Sequence, residues 1–308
     1  MKKGFLFDFK KNIPLLTMVL PGLVFFILFN YLPMFGIMIA FKQYRFDMGI
    51  WGSPWNGLKN FTFMFSSPDA WVITRNTVCY NLLFIFGGLV LNVAMAIGLS
   101  ELRNKMFSKV CQTIVLMPHF LSFVIVSYLA LAFLHVENGV LNRVFMPLFG
   151  REPIDWYATV KAWPFILVFV HFWKSVGYGS VVYLAGIAGI DTSLYEAAKV
   201  DGANRWQQIK YITLPALKSL MIILTILNVG KIFNSDFGLF YQVPLNTGTL
   251  YPATNVISTY VYNMLTSAGT GSVGMASAAA FYQSIVGFIL VMTTNMIVRR
   301  ISPENSLF

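Results

Sequence analysis

Two stretches of this chain carry no charged residue at all: Asn12 to Phe41, and Phe237 to Val298. Runs of that length fix the fold class before any motif is read. A helix needs about 20 mostly apolar residues to cross a bilayer, and an ordinary soluble domain is about a quarter charged. This chain of 308 residues is 11% charged and 57% hydrophobic, with a mean hydropathy of +0.67. The class is an all-α, polytopic integral membrane protein. The net charge of +10 then reads as Lys and Arg gathered in cytoplasmic loops, not as a nucleic-acid surface. Cys79 and Cys111 sit in or beside apolar runs without a CxxC partner, so neither a disulfide framework nor a metal cluster is indicated.

Six spans fit the pattern: Pro14 to Ala40, Asn76 to Ser100, Val110 to Leu134, Ala162 to Ile190, Leu217 to Ser235 and Val273 to Val298. The first follows Lys2, Lys3, Lys10 and Lys11 and outruns the apolar region of a signal peptide, about 7–15 residues, so it reads as an uncleaved anchor. Pro244, Gly248, Pro252 and Gly269 break the first half of the last uncharged run. That half is assigned to an external loop with a short interfacial helix, not to a seventh span. Six spans place both termini on one side. That side holds thirteen Lys and Arg at or near the span ends, against seven on the other. The termini and the loop around Tyr195 to Tyr211 are therefore expected in the cytoplasm of a prokaryotic cell. Trp51, Trp55, Trp71, Trp156 and Trp163 fall in or beside outer loops, as an interfacial belt in membrane lipid would. The expected division is a cytoplasmic segment 1–13, a transmembrane domain 14–298 containing the loop 191–216, and a cytoplasmic tail 299–308.

Several patterns carry little. Gly269 to Gly274 spells GxGxxG, but an apolar span follows it and no acid appears before Glu304, so a flexible entry to the last span is the better reading. There is no GxxxxGK[ST] and no HExxH. His119, His135 and His171 are scattered, which argues against a zinc site. Asn60-Phe61-Thr62 is a chance sequon. Paired acids and nucleophile constellations are lacking in the spans, so neither a catalytic residue nor a metal ligand is assigned.

The informative segment is Tyr195 to Leu220, a polar stretch between apolar spans. Asp191-Thr192-Ser193 is an N-capping cluster. Leu194 to Val200 forms a short helix that Gly202 stops. Ala203 to Lys210 forms a second helix, expected to end before Leu214-Pro215. Within this helix–Gly–helix elbow stand Glu196, Ala197, Ala198, Asp201, Gly202, Ile212, Leu214 and Pro215.

The spacing of Glu196-Ala197-Ala198, Gly202, Ile212 and Leu214-Pro215 resembles the EAA signature of ATP-binding-cassette (ABC) importer permeases. Pro21-Gly22-Leu23, Tyr31 to Lys42, Tyr183 to Asp191, Gln283-Ser284, Gly287, Asn295 and Arg299-Arg300 are similar to carbohydrate permeases of the maltose type. Their six-span branch is associated with oligosaccharides and polysaccharide fragments. The resemblance implies a type I ABC importer permease fold and an elbow that docks in a cleft of a partner ATPase, with Glu196 meeting a basic group there. It also implies a second homologous permease, two ATPase subunits that hold ATP and Mg, and an extracellular or periplasmic solute-binding protein. This chain would then carry no cofactor of its own and perform translocation, not chemistry.

Polar side chains inside spans are costly and usually face a bundle interior or an aqueous path. His171, Lys174 and Tyr178 share a helical face in the fourth span, as Asn228, Lys231 and Ser235 do in the fifth, with Asn234 adjacent. Tyr282 and Gln283 lie in the sixth. Trp173, Tyr178 and Tyr282 suit sugar stacking, and Lys174 and Lys231 suit an acidic sugar such as a uronate oligomer. Helix–helix hydrogen bonding and snorkelling compete with this reading, and snorkelling wins for Lys218. Rival functions are an ABC permease for a non-sugar solute such as a peptide, a secondary transporter, and a membrane-embedded enzyme. A secondary transporter or channel leaves the elbow unexplained, and an enzyme would need the paired acids, His cluster or nucleophile constellation that the spans lack.

Overall fold

The computed structural model describes residues 12–62, 68–267, 271–301 and 303–306. Lys2, Lys3, Lys10 and Lys11, and Gly269 and Thr270 of the glycine pattern, lie outside the described residues. Two compact units form, Met1–Ser66 with Asn263–Tyr282, and Ser67–Tyr262 with Gln283–Phe308.

In the first unit α1 (Ile13–Phe26) continues through a π turn (Ile27–Tyr31) and a 3-10 segment (Leu32–Phe41). Together they make an apolar rod, Leu15–Phe41, long enough to cross a membrane. Most of its side chains are exposed, Met18 at 80% and Phe29 at 65%, until Ala40 is buried at its end, as befits a membrane helix that is apolar all round. Beyond it Lys42 is buried and its Nζ donates to the carbonyls of Ile50 and Trp51 at 2.8 and 3.0 Å. Asn60 is buried too. Its Nδ2 donates to the Ala40 and Lys42 carbonyls at 2.9 and 2.8 Å, so the sequon amide is already committed to the fold.

The second unit holds α2 (Pro68–Ser100), α3 (Lys105–Leu116), α4 (Phe123–Leu134), α5 (Trp163–Ala188), α6 (Thr192–Val200), α7 (Arg205–Gln208) and α8 (Leu214–Val229). Helices α9 (Ile257–Ser267) and α10 (Gly271–Ile301) contribute residues to both units. One core joins Tyr80 and Phe84 of α2, Val126 of α4, and Trp163 and Leu167 of α5 to Leu239, Phe240 and Leu250. A second joins Val93 and Ala96 to Tyr183 and Leu217 near the elbow. Lipid is as apolar as Leu, so close packing and hydrogen bonds must hold such helices together. Gly177 of α5 shows the close approach: a side chain there would run into the Val115 carbonyl of α3.

By length and composition five helices can span a membrane, or six if one bent pair counts as a span. That pair is the third span, Lys105–Phe120 and Phe123–Leu134, bent by 97°. Pro118 and the N-cap Ser122, whose Oγ accepts from the Ile125 amide at 3.3 Å, set the break. Three further expectations need correction. The fifth span ends as a helix at Val229, not Ser235, because the chain turns at Gly230 to Phe233. The region from Phe237 to Ile257 is not a free external loop, since Leu239, Val243, Leu250 and Val256 are fully buried. Polar groups of α2 pin it. Asn76 Nδ2 donates to the Pro252 and Asn255 carbonyls at 3.1 and 3.0 Å, Tyr80 OH donates to the Ala253 carbonyl at 2.8 Å, and Thr77 Oγ1 accepts from the Ile257 amide at 3.0 Å. The tryptophan belt also divides. Trp51, Trp55 and Trp71 are exposed, whereas Trp163 is fully buried and donates to the Trp156 carbonyl at 2.8 Å.

Candidate functional site

The elbow is a set of local caps. Asp191 is the N-cap of α6, its Oδ1 accepting from the Ser193 amide at 2.9 Å. Hydrogen bonds from the Ser193 amide and hydroxyl hold the Asp191 carboxyl below its ordinary pKa. At the other end the Gly202 amide donates to the Lys199 carbonyl at 3.1 Å and the Ala203 amide to the Ala198 carbonyl at 2.8 Å. That is a complete Schellman motif. It needs a residue at positive φ, and Gly202 has φ +82°. Asn204 and Gln207 then form a reciprocal capping box that starts α7. A nine-residue helix is marginal alone, so these caps decide whether α6 forms.

The second helix of the elbow does not end before Leu214-Pro215 as expected. It widens into a π turn, Ile209–Thr213, and runs into α8, giving one helix from Arg205 to Val229. A proline ring clashes with the carbonyl four residues earlier, and the widened turn at that point relieves the clash. The elbow is thus rigidly continuous with the fifth span. Tyr195 and Thr213 hydroxyls, 2.8 Å apart, tie α6 to that helix. Arg205 Nη1 lies 3.1 Å from Glu101 Oε2, bracing the elbow to the turn after α2.

Outward, Glu196, Ala197, Asp201 and Gly202 are exposed, and Ala198 and Leu214 are half-buried. Among the described residues no ion pair involves Glu196. Val200 is 89% exposed and Trp206 80%. Both are large apolar groups standing free on a polar loop. The sequence reading passed over Trp206, although an aromatic among the charged residues of a short loop was the available signal.

The polar side chains of the spans divide differently. Lys174 Nζ donates to the carbonyls of His119 at 2.7 Å and Leu121 at 2.6 Å, with that of Pro118 at 3.4 Å. It clasps carbonyls at the break in the third span. Asp236, capping the Gly238 and Leu239 amides, is the acid whose charge acts on Lys174. Gln283 is committed likewise, its Nε2 donating to the Phe233 carbonyl at 2.7 Å. His171 stacks on Phe84 at 3.6 Å and His119 on Tyr178 at 4.2 Å. Trp173 lines a cavity of about 640 Å³ walled by apolar residues, among them Phe133 and Phe169. Tyr178 remains exposed, and Tyr282 is half-buried on α10. Asn228, Lys231 and Asn234 are exposed, and among the described residues none of these three side chains has a hydrogen-bond partner. The helical face expected for Asn228, Lys231 and Ser235 is lost, because only Asn228 lies within α8.

Apolar helices long enough to span a bilayer, joined by a capped and exposed elbow, describe a polytopic membrane protein. Residues 87–303 match the family described as binding-protein-dependent transport system inner membrane component. The chain belongs to that family. It is 36% identical over 292 residues to the polygalacturonan/rhamnogalacturonan transport system permease protein YteP of Bacillus subtilis (strain 168), covering 94% of this chain and 89% of the relative. It is 28% identical to the trehalose/maltose transport system permease protein MalF of Thermococcus litoralis, covering 91% of this chain and 90% of that one. Among solved structures it resembles a chain of a bacterial ABC transporter involved in the import of the acidic polysaccharide alginate. The TM-score is 0.86 at 32% identity, covering 96% of this chain and 98% of that one. The same level of likeness, TM-score 0.86 at 32% identity, holds for the alginate transporter in complex with its pentasaccharide-bound periplasmic protein.

Proposed function

We propose that this chain is the translocating subunit of an ATP-driven importer for an acidic oligosaccharide or polysaccharide fragment. The observation that carries the coupling half is the elbow: a capped helix pair, continuous with a span, that turns an unpaired Glu196 and exposed Val200 and Trp206 outward. In this reading α6 sits in a partner ATPase that holds ATP and Mg, and closure of the ATPase pair moves the fifth span directly through Ile209–Thr213. The chain pairs with a second homologous permease and receives cargo from a solute-binding protein. Both termini face the cytoplasm, and no chemistry is done on the cargo. The carbohydrate half is supported by the relatives' cargo. Charge is supported by Lys231, exposed between Asn228 and Asn234, whereas the Lys174 ammonium is already spent on carbonyls.

In the assembled complex, Glu196→Ala and Gly202→Asp are expected to cut substrate-stimulated ATP hydrolysis roughly tenfold, within the usual span of coupling energies. Full stimulation in both variants would refute the coupling role. Lys231→Met is expected to weaken uptake of uronate oligomers and leave neutral oligomers unaffected.

A further inference from the structure

A cavity of about 580 Å³ opens between the first turns of α2 and the start of α5, at the end of both helices away from the elbow. Its walls include Leu83, Phe165 and Val168, and its lining carries two cations, Arg75 and Lys161. Helical spacing sets the arrangement. Arg75, Cys79 and Leu83 recur every fourth residue along α2, and Lys161 precedes Phe165 and Val168 along α5. Arg75 lies about two turns into α2 and Lys161 just ahead of α5, and each is followed by apolar side chains one to two turns further in. Leu83 is 47% exposed and Phe165 78%, so the cleft is open to the bilayer. The Arg75 guanidinium is aimed by hydrogen bonds to Asn76 Oδ1 at 3.0 Å and the Pro252 carbonyl at 3.2 Å. Among the described residues neither cation meets a carboxylate.

Two cations without a counter-charge, above an apolar cleft facing lipid, have the polarity of one phospholipid molecule. We infer that this cleft binds an anionic phospholipid. The phosphate sits against the Arg75 fork, which can take two phosphate oxygens, and against Lys161. The acyl chain runs along Leu83, Phe165 and Val168. The cavity beside Trp173 provides the contrast. It is of similar size, about 640 Å³, but no charged residue lines it, so it has no means of choosing a headgroup.

The test uses the full chain in its purified complex, with bound lipid counted by native mass spectrometry during titration. The probes are phosphatidylglycerol, phosphatidylcholine and soluble glycerol 3-phosphate. A basic group near a membrane surface adds about fivefold in affinity. The expected preference for phosphatidylglycerol over phosphatidylcholine is therefore on the order of thirty-fold, and it disappears in Arg75→Gln/Lys161→Gln. Lys161→Gln alone, at an exposed side chain with no partner to disturb, should lose about fivefold. Phe165→Ala should weaken both lipids and keep the preference. Equal binding of the two lipids by the unaltered chain, or a preference unchanged by loss of the cations, would overturn the assignment. So would effective competition by glycerol 3-phosphate, which would make the site one for soluble anions. Lipid counting needs no transport, so its failure leaves the proposed function standing.

Discussion

The elbow and the bend in the third span are both interruptions of helix, and they are built by opposite means. At the elbow, capping bonds join residues two to five apart: Ser193 to Asp191, Asn204 to Gln207, Gln208 to Ala203. At the bend, the carbonyls of Pro118, His119 and Leu121 are met by Lys174, 53 to 56 residues away. Local caps fix the shape of the elbow itself, and the Tyr195–Thr213 contact and the Arg205–Glu101 pair then tie it to its neighbours. The long-range clasp makes a joint between two spans.

The largest effect should come from breaking the joint. Lys174→Met takes the lysine donor from the half-buried His119 and Leu121 carbonyls and is expected to cost about 1–3 kcal/mol, read as a fall in the thermal midpoint of the complex. Lys231→Met, the same exchange at an exposed lysine, should stay within about 0.5 kcal/mol. Equal losses would erase the distinction between clasp and free cation. Next comes Gly202→Val, where an L-residue at positive φ costs about 1–2 kcal/mol. That cost should fall on the elbow alone, with faster amide exchange over residues 192–208 and none in α2 and α5. Asn204→Ala should give the same pattern at about 1 kcal/mol. Arg205→Ala removes an exposed ion pair and should cost less than about 1 kcal/mol, a difference that high salt abolishes. Exchange that spreads from any elbow variant into α5 would mean that the two regions are not separate.

The same contrast explains what the sequence reveals. The six apolar segments, the N-cap at Asp191 and the stop at Gly202 are legible because composition and short-range spacing encode them. Lys174 reads as a path residue because its partners are backbone carbonyls of another span, and carbonyls leave no mark in a sequence. Asn76, Thr77 and Tyr80 hide their role in the same way, gripping a segment some 175 residues further on. That grip turns the expected external loop into core. Pro118 followed by Ser122 was the visible sign of the broken span. The chain turn at Gly230, which removes Lys231 and Ser235 from the helical face of Asn228, has a weaker sign in a single glycine.

In the proposed importer, the outward face of the elbow is the surface that an ATPase covers. The direct measurement is the rate of maleimide labelling at Val200→Cys, in a chain with Cys79→Ser and Cys111→Ser, compared between the isolated subunit and the assembled complex. Val200 is 89% exposed in the free chain, so labelling should be fast there and fall by more than about tenfold on assembly. Labelling at the same rate in both would contradict the account.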